Sequence, residues 1–336
     1  TENSAIHRKN AAHFCNSICS QRRRLKSIDH HLISWLFVQI LEFFCGIGGV
    51  AAALVNTVNS VVAFDIDTRA LETYRHNWRH DLRNCELASV TTIQLAEFAA
   101  ELWWMSPPCQ PFTLQGKRSD DADSRTTAFM QLLASFRELR PRYFAMENVP
   151  PFRSSRTHAR LIETLNAQRY QWFEQTLCAS DFGLMTKRRR YYLVASRDHA
   201  LSETALRREE SNVRFGFDDV LDARYAGISF AADALLPRFM PHLHVIRPAA
   251  SEVARCFTSA YGKSPLRSGS YLQIDGASAR IRHFSPLEIA RMLGFPPTFQ
   301  FPEQLTPRQC WDLVGNSLAV PVVRHVLSAI PELGLR

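Results

Sequence analysis

Residues 36–67, LFVQILEFFCGIGGVAAALVNTVNSVVAFDID, decide the fold class. The run LFVQILEFF (36–44) is apolar almost throughout, as a strand buried on both faces requires. CGIGG (45–49) breaks it with a glycine turn, VAAALVNT (50–57) reads as a short helix, and SVVAFDI (60–66) as a second strand. Strand, turn, helix and strand make a βαβ unit, which implies a parallel sheet. Gly46, Gly48 and Gly49 let backbone N–H groups approach a ligand at a helix start. By itself this loop reads equally as a dinucleotide fingerprint, a methyl-donor loop or a tight turn. Asp65, closing the second strand, suits the two hydroxyls of a ribose, or caps the next helix together with Asp67.

The alternation continues outward. LETYRHNW (71–78) has helical spacing, ELWWMS (101–106) is a short strand running into PPCQP, and 123–140 is an amphipathic helix with Asp123 or Ser124 placed to cap it. RYFAMEN (142–148) is a further strand, and 169–180 with 189–196 form an antiparallel pair. SPLEIARMLGFPP (285–297) is a Ser-capped helix ended by Gly294, and 316–330 a final helix. The expected fold is α/β: a doubly wound, mainly parallel sheet, Rossmann-like, with a small second lobe. We divide the chain into a basic extension (1–35), an α/β domain (36–196), a small separate lobe (197–280) with clustered charges and prolines, and C-terminal helices returning to the α/β domain (281–336). Ligands on such sheets bind at the carboxyl ends of the strands, where Gly46, Asp65, Cys109 and Glu147 fall.

A chain of 336 residues with 46% apolar residues can bury a large core. The longest apolar run, ISWLFVQILEFF, is about half the ~20 residues that span a bilayer, so no membrane role is expected. The net charge of +8 suits a polyanionic partner. The eight cysteines, at 15, 19, 45, 85, 109, 178, 256 and 310, form no regular framework and read as reduced thiols of an intracellular protein, cytoplasmic and/or nuclear. Cys15 and Cys19 with His13, His30 and His31 match no zinc-ligand spacing, so no metal is expected. The basic runs HRKN and QRRRLK suit a solvated tail, and Arg richness with few acids also resembles a targeting presequence.

Three further stretches carry chemistry. In MSPPCQPF (105–112), prolines on both approaches hold Cys109 at a strand end; its thiolate is a nucleophile if positive charge lies nearby. In ENVPPF (147–152), Glu147 also ends a strand. It can hydrogen-bond the Watson–Crick edge of a base and, protonated, donate to nitrogen 3 of cytosine; the bland alternative is a strand-end ion pair. In KRRRYY (187–192), Arg188 and Arg190 share one face of a strand and can meet a base carbonyl or a phosphate, where the alternative is a solvated surface.

Taken in order, LEFFCGIGG, AFDIDTRALETY, MSPPCQPFT, DSRTTAF, MENVPPF, SDFGLMTKRRRYYLVA, CFTSAYG, SPLEIARMLGFPPTF and LVGNSL resemble the cytosine-5 methyltransferase family, from about Ile40 to Ile330. The Ser-Pro-Pro before Cys109, the run DSRT and the tripeptide Cys256-Phe257-Thr258 are similar to its tRNA-aspartate branch. The resemblance implies S-adenosylmethionine as cofactor and an anticodon-loop cytosine of tRNA as target, with DNA as the alternative polynucleotide. It implies Cys109 as nucleophile, Glu147 as the nitrogen-3 partner, and Arg188 and Arg190 at the target base. Phe44, Gly46, Ile47, Gly48 and Gly49 would line the donor, Asp65 would hold its ribose, Ile66 would pack on its adenine, and Asn316 and Ser317 would close over its amino-acid end. The α/β domain would be the catalytic one, and the lobe at 197–280 a target-recognition region. Departures are Cys45 where the family has Ser or Ala, Thr186 in place of an amide residue, and a third strand, read around LASVTTI (87–93), that lacks the adenine-binding Asp; Val90 and Thr91 stand nearest to that position. Against this stand a nicotinamide dehydrogenase, which leaves MSPPCQP and ENV unexplained, and a nucleic-acid-binding module without catalysis, which would bury Cys109 away from any cleft.

Overall fold

The computed structural model describes residues 38–57, 59–109, 124–198, 201, 206, 216–222, 239–247, 252–273 and 281–335. The basic extension, the 110–123 loop with the proposed cap Asp123, and much of the 197–280 lobe therefore lie outside the described residues.

A seven-stranded sheet forms the centre. Its strands are β1 (Val38–Phe43), β2 (Asn59–Asp65), β3 (Asp81–Asn84), β4 (Leu102–Met105), β5 (Tyr143–Asn148), β6 (Gln171–Cys178) and β8 (Arg189–Ser196), in the order β3-β2-β1-β4-β5-β8-β6. β1 to β5 run parallel; β8 is antiparallel to both β5 and β6, as expected for that pair. Side chains alternate strictly between two cores. Ile40, Ala63, Trp104, Ala145 and Val194 join one cluster, and Leu41, Phe64, Trp103, Phe144 and Leu193 the other. Both faces are dry, which is why 36–44 carries no polar/apolar alternation.

The first face packs α1 (Gly49–Ala53) and the C-terminal helices α7 (Pro286–Met292), α8 (Pro307–Gly315) and α9 (Val320–Leu327); the second packs α4 (Ser124–Leu139) and α5 (Arg156–Ala167). Helix α2 (Thr68–Asn77) is capped by Asp67, whose side chain accepts from Arg69 N–H. Helix α7 starts with the box Ser285/Glu288, and Gly294 turns the chain beyond it at φ 81°. The final helix is shorter than the sequence implies. It begins at Val320, and residues 316–319 are free of it. Described parts of the second lobe, including Val220, Ile246, Phe257 and Tyr271, share the first-face core with these helices rather than forming a core of their own. Small sheets join it: β10 (Ala254–Arg255) pairs with β7 (Thr186–Lys187), and β11 (Tyr271–Gln273) with β9 (Val245–Ile246) and β12 (Ile281–His283).

One expectation fails. The third strand is Asp81–Asn84, not LASVTTI, which instead forms a 3-10 turn at Leu87–Ser89 and helix α3, Thr92–Ala96. Thr91 and Gln94 form a capping box, so local hydrogen bonding takes this β-branched stretch into a helix start. The edge strand itself is mostly exposed and polar, which hid it from an apolar-run reading.

Candidate active site

The sheet reverses its winding between β1 and β4, and a cleft of about 670 Å³ opens at the carboxyl ends there. One end of it is the glycine loop. Phe44 and Gly46 take positive φ (59° and 54°), which folds the chain back sharply after β1. Gly46 N–H donates to Asp65 Oδ2 at 2.8 Å, and Asp67 N–H to Oδ1 at 2.9 Å. Asp65 thus anchors the loop, while Asp67 alone caps α2; the two roles the sequence left joined are separate. Burial raises the Asp65 pKa, with the Asp67 and Gly46 N–H groups opposing. Ile66 is 62% exposed although apolar, and it lines the cleft.

Gly48 and Gly49 do not line the cleft. They let helix α1 start in a crowded place: a Cβ on Gly48 would stand 2.2 Å from the Trp78 ring nitrogen, and one on Gly49 2.7 Å from Leu318 Cβ. Val90 and Thr91 also lie outside the cleft wall, a correction that follows from the misplaced third strand. With β3 at 81–84, the residues beyond its end that do reach the cleft are Glu86 and Ala88. Glu86 caps the turn at Leu87–Ser89, its side chain accepting from Ala88 N–H, and borders the cleft at the same time.

The other end of the cleft holds the reactive side chains. Cys109 follows β4 and is half-buried. Its approach is braced on both sides: Trp104 donates to Ser106 Oγ at 2.8 Å, and Asn148 Nδ2 to the Pro107 carbonyl at 3.3 Å. Asn148 also accepts from Val149 N–H, so it ties the Cys109 loop to the end of β5. Glu147 sits there, 8% exposed, with Arg190 Nε 3.1 Å from its Oε1. Burial pushes the Glu147 carboxyl up, and the charges of Arg190 and Arg188 offset only part of that. The Cys109 thiol is raised by burial and next by Glu147, with Arg190 and Arg188 pulling down. The two groups are coupled. A proton on Glu147 removes the negative charge that opposes the thiolate and leaves the arginines to act on it alone.

Arg188 and Arg190 both line the cleft, but they do different work. Arg188 is 4% exposed and donates to the backbone carbonyls of Phe257 (3.3 Å), Gly315 (3.2 Å) and Ser317. It clamps the 256–258 tripeptide against the 315–317 loop through its terminal nitrogens, while its Nε, buried at the cleft wall, has no hydrogen-bond partner among the described residues. Arg190 faces Glu147. Burial works against its charge, yet Cys256 and Glu147 hold it on. Cys256, 3.7 Å from Arg188 and 3.8 Å from Arg190, is a second sulfur behind the site, and the two guanidiniums hold its thiol below the ordinary value against burial. Asn316 and Ser317 border the cleft at the end of α8, exposed and buried respectively. Gly315 permits this: a Cβ there would lie 2.3 Å from the Thr258 carbonyl carbon.

The cleft therefore unites Phe44, Gly46, Ile47, Asp65, Ile66, Cys109, Glu147, Arg188, Arg190, Asn316 and Ser317. Sequence reasoning missed Glu86, Thr127 and Val149 as wall residues. Thr127 lies within DSRTTAF and Val149 within ENVPPF, so those motifs held the signal, but neither residue type points to a cleft wall by its own chemistry.

Among known proteins, the profile of C-5 cytosine-specific DNA methylases matches residues 38–226 and 243–332. A DNA (cytosine-5)-methyltransferase of Dictyostelium discoideum is 30% identical over 87% of this chain and 94% of its own length. A tRNA (cytosine(38)-C(5))-methyltransferase of Rattus norvegicus is 29% identical over 88% of this chain and 99% of its own. The solved methyltransferase EhMeth of Entamoeba histolytica superposes with a TM-score of 0.79 at 23% identity, covering 87% of this chain and 97% of that one, a likeness of fold. With most of its length matched by the family profile, and with a cysteine, a glutamate and an arginine gathered at the switch point of its sheet, this chain belongs to the C-5 cytosine-specific methyltransferase family.

Proposed function

We propose that this protein methylates carbon 5 of a tRNA anticodon-loop cytosine, cytosine 38 of tRNA-Asp, taking the methyl group from S-adenosylmethionine and using Cys109 as a covalent nucleophile. The observation that carries this reading is the convergence of Cys109, Glu147 and Arg190 in one cleft with the Asp65-anchored loop. The donor's chemistry fits the loop end. Asp65 retains acceptor capacity after its two backbone bonds, enough for ribose hydroxyls. Ile66 presents apolar surface suited to a flat purine, and no atom lies within 4 Å of where a Gly46 Cβ would stand. Asn316, exposed at the cleft border, and Ser317 are placed for the amino-acid end. Bound there, S-adenosylmethionine supplies an electrophilic methyl sulfonium.

The chain's own residues make cytosine able to accept that methyl. Carbon 5 is a poor nucleophile until the Cys109 sulfur adds to carbon 6 and turns the ring into an enamine. Glu147, whose raised pKa keeps a proton available, donates to nitrogen 3 as charge develops there. Arg190 steadies both the carboxylate left behind and electron density on the base. Once carbon 5 carries the methyl group, its proton passes to solvent water, the Cys109 thiolate is expelled from carbon 6, and the nitrogen-3 proton returns to Glu147, which restores the aromatic ring. A cytosine must leave any stack to reach this cleft, and a loop nucleotide does so at less cost than a paired one.

The tRNA reading is supported by the rat relative and by Ser106-Pro107-Pro108 and Cys256-Phe257-Thr258. The Dictyostelium relative, by its name, favours a duplex DNA substrate as the second reading. Fluorocytosine-substituted tRNA separates them. With donor present, fluorine on carbon 5 cannot leave as a cation, so wild type forms a denaturant-resistant adduct and Cys109→Ala forms none. An adduct in the Cys109→Ala protein would refute the nucleophile; an adduct with duplex DNA and never with tRNA would move the function to the second reading.

A further inference from the structure

The segment that carries the two cleft arginines also faces outward. Burial alternates along it: Arg188 is buried and Arg190 largely so, while Lys187 and Arg189 are exposed. Lys187 and Arg189 line a separate hollow of about 360 Å³ with Thr176, Cys178, Ser180 and Asp181, beside the ends of β6 and β8 and on the far side of this segment from Glu147. The parallel pairing of β7 and β10 sets Arg255, also exposed, opposite Lys187. Neighbouring strands lie only about 4.8 Å apart, so these two cations stand side by side.

Like charges placed opposite one another on a sheet are destabilising. Among the described residues none of Lys187, Arg189 and Arg255 has an acidic ion-pair partner. The acids nearby are Asp181 in the hollow and Glu252, which acts on His244. His244 is locked in place, its Nδ1 2.8 Å from Ser270 Oγ, which also accepts the Arg255 backbone N–H at 2.9 Å. Burial and Arg255 hold its pKa below the ordinary imidazole value, with Lys187 helping and Glu252 opposing. What remains is a strip of three cations at the carboxyl edge of the sheet, next to the cleft, with Asp181 and Glu252 near it but, among the described residues, no ion pair made to any of the three.

We propose that Lys187, Arg189 and Arg255 form a track for the sugar–phosphate backbone of the RNA strand that delivers its cytosine to the cleft. This rests on the tRNA reading above and deepens it. A polyanion lying on the strip neutralises the lateral repulsion, and the short distance from Arg189 to Arg190 along one segment fixes the register between phosphate and base. The contact is with backbone rather than bases, so it contributes affinity and not sequence choice.

The test uses the full-length protein and an unmodified tRNA-Asp transcript, comparing wild type with Lys187→Ala/Arg189→Ala/Arg255→Ala and with a charge-retaining set, Lys187→Arg/Arg189→Lys/Arg255→Lys. Two or three lost phosphate contacts predict binding weaker by on the order of 10–100-fold near 0.1 M salt, and a plot of log K against log salt less steep by about 1.4–2.1. Turnover at saturating tRNA stays at the wild-type value, the thermal midpoint of the alanine set is at least that of wild type because the lateral repulsion is gone, and the charge-retaining set binds as wild type does. Unchanged affinity and salt slope in the alanine set would overturn the track while leaving tRNA methylation standing. A wild type that binds tRNA through the strip but methylates only duplex DNA would overturn the function reading while leaving the track. Weakened binding not restored by the charge-retaining set would also overturn the track, since the loss would then be one of shape.

Discussion

Glu147 and Glu174 sit on the strands that flank β8, and consecutive residues of β8 serve them: Arg190 reaches Glu147 on one face of the sheet, and Tyr191 reaches Glu174 on the other. Their side chains are about equally exposed, 10% and 9%. Burial pushes both carboxyls up, yet Glu147 ends raised and Glu174 ends at about 2. Glu147 is the more deeply enclosed by protein, so burial weighs on it more heavily, and the donors differ as well. Glu174 accepts from Arg153, His158 and Tyr191, each at 2.7 Å, so three hydrogen bonds support its charged form. Glu147 has, among the described residues, Arg190 alone and an open cleft in front of it. A carboxylate with several donors anchors structure; one left with a single donor beside a cleft can hold a proton and give it to a ligand.

The largest expected effect breaks this contrast at Glu147. Glu147→Gln keeps shape but cannot pass a carboxyl proton, so the methylation rate falls by about 10²–10⁴-fold with little change in stability. Stability loss with an intact rate per folded molecule would make Glu147 an anchor like Glu174.

Glu42 extends the comparison to a carboxyl with still less support. It is fully buried behind the glycine loop, where burial pushes it up to about 8 against a 3.0 Å hydrogen bond from Tyr74. The native state then keeps a proton that the unfolded chain loses above about pH 4.5. Stability therefore falls as pH rises from there toward 8, by up to about 1.4 kcal/mol per pH unit from this group. Denaturant titrations at pH 5.5 and 7.5 should show that Glu42→Gln flattens the slope; an unchanged slope would mean Glu42 is not protonated in the fold.

Glu174 carries the opposite sign. Its folded pKa lies below the unfolded value, so its contribution is complete above about pH 4.5 and is lost as pH falls through about 2. Glu174→Gln should lower neutral-pH stability by about 3 kcal/mol while leaving turnover of the folded protein unchanged. A fall in turnover without loss of stability would erase the distinction between the two glutamates.

Asp65 is intermediate, buried like Glu147 but holding two backbone donors. Asp65→Ala should weaken S-adenosylmethionine binding by about 1.5–3 kcal/mol in calorimetry, the value of a charge-assisted hydrogen bond. Equal affinity would confine Asp65 to anchoring the loop.

Much of the sheet was determined by sequence alone, because a strand buried on both faces must be apolar and a glycine turn must follow it. The run 36–44, the turn at 45–49 and the end of the second strand at Asp65 needed no partner to be read. The placement of Cys109 and Glu147 at strand ends beside the cleft was legible for a related reason: prolines and strand ends announce a side chain held in place. Only the tertiary structure decided what each charge does. Arg188 and Arg190 look equivalent two residues apart, but the carbonyls that occupy Arg188 come from 257, 315 and 317, remote in sequence. The third strand escaped because an exposed edge strand is polar, and with it went Glu86. Asp65 and Asp67 could both have capped a helix until the backbone assigned one to each task. Local preference and burial write themselves into neighbouring residues, whereas hydrogen-bond partners across the fold do not, and those partners are what set the protonation and the role of every group in the cleft.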